Sequence, residues 1–362
     1  MSAKGKFFLD FLPPPTYLTM PALCFDLSDR SMKYMEFYRK HSSILVKRSG
    51  LYKIPEGIIE KGEIKQKNKL VDFLKTVKDK LRSKYIIASL PEEKVFVSKI
   101  QIPMMKKEYI RESIELQLDQ YIPLSAKEAV FDFDIIGEDY KNNHIDINLT
   151  VFPRTFVEEY KNVFLGAGFA PLVFEMEAQA FTRAVVPESE TESVMVIDFG
   201  RTRATFAIVS KGKIQFTTTV TVAGGEIDKA IMDNLRVNLE QADQIKKEIG
   251  FIRSKNNEQL FNAILPIVSA IKDEAAKQII YWNSHQEKNE EESVKISKIM
   301  LCGGESTLAG FSEYLSYELK TKVELSNPWV NVLSFENSIP EMELRDALAY
   351  STVIGLALRQ WI

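Results

Sequence analysis

Residues 194–209 constrain the fold more than any other part of the chain, because one apolar run leads into Asp198 and Gly200 and a second run leaves them. Aliphatic runs of this kind are typical of strands buried on both faces. The glycine permits a tight hairpin between the two strands. Backbone N–H groups of such a turn, with the hydroxyls of Thr202 and Thr205, can hold phosphate oxygens, and the Asp198 carboxylate can reach a hydrated magnesium ion. Taken alone, Asp-x-Gly is more often an ordinary hairpin.

The same order of features occurs near the start of the chain. An apolar strand ends at Asp26, a polar turn follows, and an alternating strand begins near Ser31. This repeat predicts two halves of matching topology, each with a carboxylate at a strand end. Ser28 stands where the second copy has Gly200.

Composition limits the classes of protein that fit. A chain of 362 residues exceeds one ordinary core, which predicts two domains or two halves of one fold. The formal net charge of −3 gives no electrostatic reason to expect a nucleic-acid partner. Two cysteines and three scattered histidines indicate neither a disulfide framework nor a zinc site, and they fit a reducing cytoplasm.

No part of the sequence predicts a membrane span. The longest apolar candidate, residues 263–271, is too short and contains Pro266. Residues 1–12 lack the apolar core and cleavage site of a signal peptide. We interpret residues 1–21 as an N-terminal arm that packs or frays, with a short membrane or partner anchor as the alternative.

One segment inside the first half has its own pattern of predicted strands and helices. Residues 92–152 read as strand, helix, strand and strand, with the helix at 106–120, and predict an inserted subdomain. Residues 61–69 read as a solvated loop. In the second half, residues 258–285 read as a helix broken near Pro266, and residues 287–292 as an acidic loop.

Two glycine pairs complete the pattern. Gly224 and Gly225 predict a sharp bend before a helix, and Gly303 and Gly304 follow a strand and precede a helix expected to begin near Ser306. A helix N-terminus behind two glycines suits an anion or the sugar side of a nucleotide, although close packing explains such glycines equally well.

Together these features resemble the actin-like ATPase superfamily and, within it, the type IV pilus assembly protein PilM family. The resemblance covers about residues 22–359 and rests on the following stretches: Asp26 to Lys33, Gln101-Ile102-Pro103 through Tyr121-Ile122-Pro123, Val196 to Gly200, Ala223-Gly224-Gly225, Gln241 to Lys246, Leu301-Cys302-Gly303-Gly304, and Ile354 to Arg359.

The fold that the resemblance implies is α/β: an actin-like (ribonuclease H-like) two-lobed fold with an inserted small α+β subdomain of the FtsA and PilM type. The expected division places the first lobe at 22–91 and 153–193, the subdomain at 92–152, the second lobe at 194–346, and a C-terminal helix returning to the first lobe at 347–362.

The resemblance also implies ATP and Mg²⁺ in the cleft between the lobes. Asp26 and Asp198 would face the metal, and Glu175 or Glu177 would position the attacking water. The remaining nucleotide contacts would come from Ser28, Ser31, Gly200, Thr202, Thr205, Gly224, Gly225, Asp243, Lys246, Gly303 and Gly304.

Two residues depart from the family pattern. Ser28 replaces a glycine in the first phosphate turn, and Glu305 stands where the nucleoside loop usually has a small residue. Both add bulk or negative charge at the expected nucleotide site, so we expect at most a slow ATPase. At a helix N-terminus near Ser306, Glu305 would repel a bound ATP unless Lys246, Arg201 or magnesium neutralised it.

The function implied by the resemblance is a cytoplasmic scaffold, peripheral on the cytoplasmic face of the inner membrane, in the type IV pilus assembly platform. Its partners would be the N-terminal peptide of a PilN-like inner-membrane protein and, indirectly, PilO and the pilus motor ATPases. We expect the peptide in a groove between the first lobe and the subdomain, with the strand 95–102 and the helix 106–120 as walls. The alternatives are an FtsA-like membrane-associated cell-division protein and a small-molecule kinase of the same superfamily.

Overall fold

The computed structural model describes residues 22–40, 43–284, 295–332 and 340–361; the predicted arm 1–21 and the acidic loop 287–292 lie outside them. The strands are β1 Leu23–Leu27, β2 Ser31–Lys40, β3 Ser43–Lys53, β4 Ile59–Glu60, β5 Glu63–Ile64, β6 Tyr85–Leu90, β7 Phe96–Pro103, β8 Ala129–Asp139, β9 His144–Pro153, β10 Ala170–Met176, β11 Ser193–Phe199, β12 Ala204–Ser210, β13 Lys213–Val220, β14 Ile296–Cys302 and β15 Lys322–Leu325. The α-helices are α1 Lys67–Leu81, α2 Lys107–Leu116, α3 Leu118–Tyr121, α4 Arg154–Gly166, α5 Glu177–Val185, α6 Gly224–Leu235, α7 Leu239–Ile249, α8 Glu258–Ser284, α9 Phe311–Leu319, α10 Leu344–Leu348 and α11 Ser351–Leu358.

Two five-stranded sheets share one topology. Their strand orders are β10-β6-β1-β2-β3 and β15-β14-β11-β12-β13. In each sheet the central strand, β1 or β11, pairs antiparallel with the next strand along the chain. On its other side that strand pairs parallel with a later one, β6 or β14. The predicted repeat of two matching halves is therefore confirmed, and the fold is the expected two-lobed α/β architecture.

The central strands are buried on both faces, as their aliphatic sequences predict. In β11, Val194 and Val196 belong to a core shared with the first lobe, and Met195 and Ile197 belong to the core of the second lobe. Every residue of β11 except Asp198 is buried. Both side-chain faces of the strand thus contact packed apolar side chains, which explains why its sequence does not alternate.

Helix α11 returns the end of the described chain to the first lobe. It packs on α5, β1 and β2. Beyond it, the Gln360 side chain donates to the Ala22 carbonyl and accepts from the Ala22 N–H, both at 3.1 Å. These contacts join the beginning of β1 to the segment after α11.

Residues around 92–152 form a separate inserted layer. Strands β7, β9 and β8, in that order, form a three-stranded sheet that packs against α2 and α3 with its own apolar core. The sheet is tied to the second lobe, because the Asn148 side chain donates to the Ile214 carbonyl at 2.9 Å and Lys213 donates to the Ile135 carbonyl. The domain boundaries stay predictions.

Several local predictions were wrong. Helix α1 begins at Lys67, inside the stretch predicted as a loop, and α8 continues through Pro266. The predicted helix 106–120 is two helices that meet at Gln117. Gly224 and Gly225 form the first turn of α6 instead of preceding it.

The helix expected to begin near Ser306 begins at Phe311. Gly303 has φ +89°, in the left-handed region, and starts a run of turns that carries the chain to Gly310 before α9 can form. Glu305 therefore does not lie at a helix N-terminus, and the part of its expected role that rested on a helix dipole is wrong.

Candidate functional site

Asp26 and Asp198 lie together where β1 and β11 end. Burial raises the pKa of Asp198 to about 6; the positive charge of Lys33 opposes this shift and the negative charge of Asp26 adds to it. Asp26 accepts a hydrogen bond from the Ser89 hydroxyl at 3.0 Å. Two strand-end carboxylates from different lobes are thus close enough for the charge of Asp26 to act on Asp198, as the repeat predicts.

Lys33 is a residue of this site that the sequence analysis missed. Its Nζ atom lies 3.6 Å from Asp26 Oδ2, and its side chain is mostly buried. The signal was available in principle, because Lys33 is the cross-strand partner of Asp26 in the β1–β2 hairpin. An ammonium group beside two carboxylates offers a positive charge to any anion that enters between the lobes.

The two carboxylates do not make a metal site by themselves. Among the described residues, no group of three or more histidine, cysteine or acidic side chains is placed to hold a metal ion. A magnesium ion here would need most of its oxygen ligands from water and from phosphate. The donor set therefore fits a metal that arrives with a nucleotide.

The turn between β1 and β2 contains two of the residues predicted to contact phosphate. The hydroxyls of Ser28 and Ser31 lie 3.1 Å apart, and the Ser28 hydroxyl also donates to the Ser31 carbonyl at 3.1 Å. Asp29, in the same turn, accepts from the backbone N–H groups of Lys61 and Gly62 at 2.8 and 3.0 Å. The turn is thus fixed against the β4–β5 hairpin.

The turn between β11 and β12 contacts the N-terminal end of helix α6 through backbone hydrogen bonds. The N–H of Gly224 donates to the Gly200 carbonyl at 3.1 Å, and the N–H of Gly225 donates to the Arg201 carbonyl at 2.7 Å. Thr202 is half-buried in the turn, whereas the buried Thr205 hydroxyl lies 3.0 Å from the Thr219 hydroxyl. The structure brings Gly200, Thr202, Gly224 and Gly225 together, and it places Thr205 on the strand side of the turn.

The loop after β14 closes over the same turn. A Cβ atom on Gly303 would lie 2.3 Å from Asp198 Oδ1, so only glycine fits between the loop and the aspartate. The N–H of Glu305 donates to the Phe199 carbonyl at 3.0 Å. Gly304 has more space, because among the described residues a Cβ atom there would meet only the Ala349 methyl group, at 3.5 Å.

The Glu305 side chain occupies the space above Gly224. Its Cγ and Cδ atoms would lie 2.3 Å from a Cβ atom on that glycine. Glu305 Oε2 is 2.8 Å from Lys246 Nζ, which also lies 2.6 Å from Asp228 Oδ1. Burial alone would lower the pKa of Lys246, but the two carboxylates raise it overall. The lysine that the resemblance assigns to the nucleotide is thus held by side chains of this chain.

Asp243, the other residue assigned to the nucleoside, is more exposed. Its Oδ2 atom is 2.7 Å from Lys247 Nζ, one helical turn away, and its Oδ1 atom is 3.7 Å from Lys246 Nζ. It lies on the same helix as Lys246, α7, and remains a predicted nucleotide contact.

The two candidate catalytic glutamates face different surroundings. Glu175 forms ion pairs with Arg183 and Arg359, the latter at 2.9 Å, on the side where α11 packs. Glu177 begins α5, and its Oε1 atom accepts from Arg203 at 2.7 Å. The negative charge of Asp26 reaches Glu177 as well. The structure thus groups Glu177, and not Glu175, with the aspartates.

A neighbouring carboxyl, Glu92, was not anticipated. Its Oε1 atom accepts from the N–H of Ala178 at 2.6 Å, and its Oε2 atom is buried without a hydrogen-bond partner among the described residues. Burial raises the pKa of Glu92 to about 8, opposed by the Ala178 hydrogen bond and by Arg203, with Glu93 and Asp198 adding to the rise.

We expect the stability of the folded protein to fall as the pH rises toward 8, because the folded state holds the Glu92 proton after the unfolded chain has lost it. The contribution is fully present below the ordinary glutamate pKa and is lost through the range up to about 8. Glu92→Gln keeps the acceptor for Ala178 and should raise the unfolding free energy at pH 8 by a few kcal/mol, since each pKa unit corresponds to about 1.4 kcal/mol.

Urea unfolding at pH 5, 6.5 and 8 measures this effect. The exposed Glu112→Gln on α2 is the control and should keep the wild-type pH dependence. A Glu92→Gln protein whose stability falls with pH as steeply as the wild type would show that another group carries the effect.

A cavity of about 510 Å³ lies between the inserted layer and the second lobe. Its walls are residues 95–98 at the start of β7 and residues 121–123 at the end of α3, with Glu92 and Glu93 at one side. The facing wall is formed by four threonines of β13 and the segment after it: Thr217, Thr218, Thr219 and Thr221. Both β7 and β13 are edge strands of their sheets. One expected wall of the groove, the strand 95–102, is present, but the facing wall belongs to the second lobe.

Exposed apolar residues occur on α2, as expected, but they do not line this cavity. Tyr109 is 53% exposed and Leu116 is 76% exposed. A large exposed apolar side chain can mark a contact surface, and here two lie on one helix. The cavity and the exposed apolar residues of α2 are therefore separate features.

A family model described as type IV pilus assembly protein PilM matches residues 24–361 of this chain. Among curated proteins, the ethanolamine utilization protein EutJ of Escherichia coli (strain K12) is 26% identical over 130 residues. That alignment spans 36% of this chain and only 40% of EutJ.

Solved structures show the same fold. A structure described as the PilM-PilN type IV pilus biogenesis complex is 20% identical, with a TM-score of 0.77 over 94% of this chain and 98% of that chain. MreB 5 of Spiroplasma citri bound to AMPPNP is 14% identical, with a TM-score of 0.56 over 92% of this chain and 94% of that chain. Within the part of the chain that the structure describes, no helix has the length and apolar character needed to cross a bilayer.

Proposed function

The chain belongs to the type IV pilus assembly protein PilM family, and from this membership we propose that it is a cytoplasmic, actin-like, ATP-binding scaffold of the inner-membrane pilus assembly platform. It docks on the N-terminal tail of a PilN-like membrane protein, which holds it at the cytoplasmic face of the inner membrane. In this position it links that protein to the pilus motor, with PilO and the motor ATPases as indirect partners. The same membership favours this role over the small-molecule kinase and FtsA-like alternatives.

The observation that carries the proposal is the cavity between β7 and β13. Each of these strands has one edge without a strand partner among the described residues. An extended peptide can use such an edge for main-chain hydrogen bonds and place alternate side chains in the space beside it. The PilM-PilN complex among the similar structures supports a PilN-like tail as that peptide.

The nucleotide proposal rests on the two turns and the residues around them. Asp26 and Asp198 would contact Mg²⁺ through water, and Lys33 would add a positive charge beside the phosphates. Gly200 and Thr202 would line the phosphates, and Gly224 and Gly225 would give room for the phosphate tail, because their own N–H groups already donate to the Gly200 and Arg201 carbonyls. A related fold with bound AMPPNP, that of MreB 5, supports this assignment. When bound, the metal would neutralise phosphate charge.

Hydrolysis, where it occurs, would be slow. Glu177 is the better placed of the two candidates to orient a water molecule, because Glu175 is held by two arginines. Glu177 is itself ion-paired with Arg203 at 2.7 Å, which competes with any role as an acceptor for water. We therefore propose a nucleotide-binding scaffold whose turnover is not its main activity.

Filling the cavity should prevent the docking of the tail. Thr217→Trp places an indole on the β13 wall, and we expect it to weaken binding of a synthetic PilN-like N-terminal peptide by about tenfold or more, equal to about 1.4 kcal/mol. Fluorescence anisotropy with the labelled peptide measures the affinity, and circular dichroism checks that the variant is folded.

Leu116→Ser, at an exposed apolar position of α2 outside the cavity, is the matched control and should keep wild-type affinity. Normal peptide affinity in Thr217→Trp, together with lost affinity in Leu116→Ser, would move the docking site to the helix that the sequence analysis favoured.

A further inference from the structure

Arg203 connects the two lobes through buried ion pairs. It follows the second phosphate turn, and its side chain is 9% exposed. One guanidinium nitrogen lies 2.6 Å from Glu93 Oε1, and another lies 2.7 Å from Glu177 Oε1. Glu93 lies just after β6, where the inserted subdomain begins, and Glu177 lies at the start of α5 in the first lobe. One guanidinium group therefore joins the turn of the second lobe to a carboxylate of the first lobe and to one of the subdomain.

Glu93 also contributes to the wall of the cavity between β7 and β13. Its second oxygen, Oε2, is buried and has no hydrogen-bond partner among the described residues. The charge of this carboxylate is thus balanced on the cleft side by Arg203, while the same residue borders the proposed peptide groove. Any change in the Arg203 pair alters the electrostatics of the groove.

A second contact links the turn to the opposite wall of the groove. The Thr205 hydroxyl, at the beginning of β12, lies 3.0 Å from the Thr219 hydroxyl on β13. Thr219 borders the cavity. The turn therefore contacts both walls, through Glu93 on one side and Thr219 on the other.

We propose that Arg203 couples the phosphate site to the groove, an inference that rests on the function proposed above. A polyphosphate on the turn at Gly200 competes for the Arg203 guanidinium, because Arg203 ends the same turn and its carbonyl accepts from the Gly200 N–H at 3.0 Å. Withdrawal of the guanidinium leaves both Glu93 and Glu177 without this partner, a costly state for buried charges, and of the two Glu93 is the one that borders the groove.

This arrangement identifies the chemistry of the favoured peptide. A tail that brings a lysine, an arginine or a free N-terminal amine to the Glu93 end of the groove restores the lost charge pair. Nucleotide and basic peptide then favour one another's binding, and by thermodynamic linkage the effect on affinity is the same in both directions.

The test is a titration of the synthetic PilN-like N-terminal peptide, followed by calorimetry, without nucleotide and with saturating ATP and magnesium. In the wild type we expect ATP to raise peptide affinity by about fivefold, at the lower end of typical allosteric couplings. Glu93→Gln removes the charge that Arg203 balances and should bind the peptide equally with and without ATP. A peptide analogue whose basic groups are acetylated or replaced by norleucine should also lose the ATP effect.

Arg30→Met is the matched control, because Arg30 lies in the corresponding turn of the first lobe but is exposed and pairs with Glu56. It should keep the coupling. Arg203→Met should lose it, and Glu93→Gln provides the same information if Arg203→Met does not fold. Equal peptide affinity with and without ATP in the wild type would overturn the coupling while leaving the docking proposal intact. Absence of peptide binding under both conditions would overturn the proposed function itself.

Discussion

Gly355→Ala should destabilise the folded protein by on the order of 3 kcal/mol, because the new methyl group has no space. Gly355 lies in α11, and a Cβ atom there would be 1.7 Å from the Ala180 carbonyl oxygen of α5. The obstructing atom belongs to the backbone, so relief requires the two helices to move apart. These helices pack in the core shared by both lobes, and the variant should unfold at a clearly lower urea concentration or fail to accumulate.

The matched control is Gly166→Ala, at the end of α4. There a Cβ atom would meet the Val71 methyl groups at 3.5 and 3.6 Å, which is ordinary van der Waals contact. Because alanine is favoured over glycine in a helix by roughly 0.5–1 kcal/mol, this variant should be as stable as the wild type or slightly more so. Equal urea midpoints for the two variants would show that α5 and α11 separate without cost.

The repeat of the two halves could be predicted from sequence because each half contains the same short sequence pattern. Each central strand is an aliphatic run that ends at an aspartate, and each is followed by a polar turn and a second strand. Asp26 and Asp198 were identified in this way, and the structure brings them together. The resemblance to the PilM family added the two-lobed fold, because its motifs recur in order along nearly the whole chain.

Contacts between residues far apart in sequence could not be predicted in the same way. Arg203 pairs with Glu93 across 110 positions, and nothing near either residue indicates the other. The identity of the second cavity wall, β13, likewise depends on how the inserted layer lies against the second lobe. Lys33 is an intermediate case, since the hairpin register places it opposite Asp26 once the turn length is known.

The first residue of helix α9 was predicted wrongly for a different reason. The residues after Gly304 have no strong preference against a helix, and the sequence therefore suggested a beginning near Ser306. Gly303 instead adopts a left-handed conformation, packed so closely against Asp198 that a Cβ atom there would lie 2.3 Å from its Oδ1, and the turns that follow end at Gly310. This tertiary packing has no counterpart in the local sequence, and the late helix start changes the expected surroundings of Glu305.

Glu305→Gly should bind ATP more tightly than the wild type, by tens-fold. In the wild type the carboxylate lies against Gly224 and holds Lys246 at 2.8 Å, within the site proposed for phosphate. A nucleotide must displace this tethered anion before it can use the lysine. At a surface-like effective dielectric, two unit charges ~6 Å apart repel by roughly 2–3 kcal/mol. In the free protein the ammonium group of Lys246 neutralises the Glu305 carboxylate. That neutralisation is lost when the lysine moves to a phosphate, and the carboxylate then repels the nucleotide.

Calorimetry with ATP and magnesium measures the change, and Glu305→Gln separates its two causes. Glutamine keeps the bulk above Gly224 and removes the charge, so a gain in both variants identifies charge as the obstacle. A gain in Glu305→Gly alone identifies the occupied space. Equal or weaker binding in a folded Glu305→Gly protein would mean that the carboxylate does not obstruct the nucleotide. It would also mean that Lys246 pairs with the carboxylates of this chain and does not contact the nucleotide. Because Lys246 already lies 2.6 Å from Asp228, that outcome would make α7 a structural support of α6 and not a nucleoside contact.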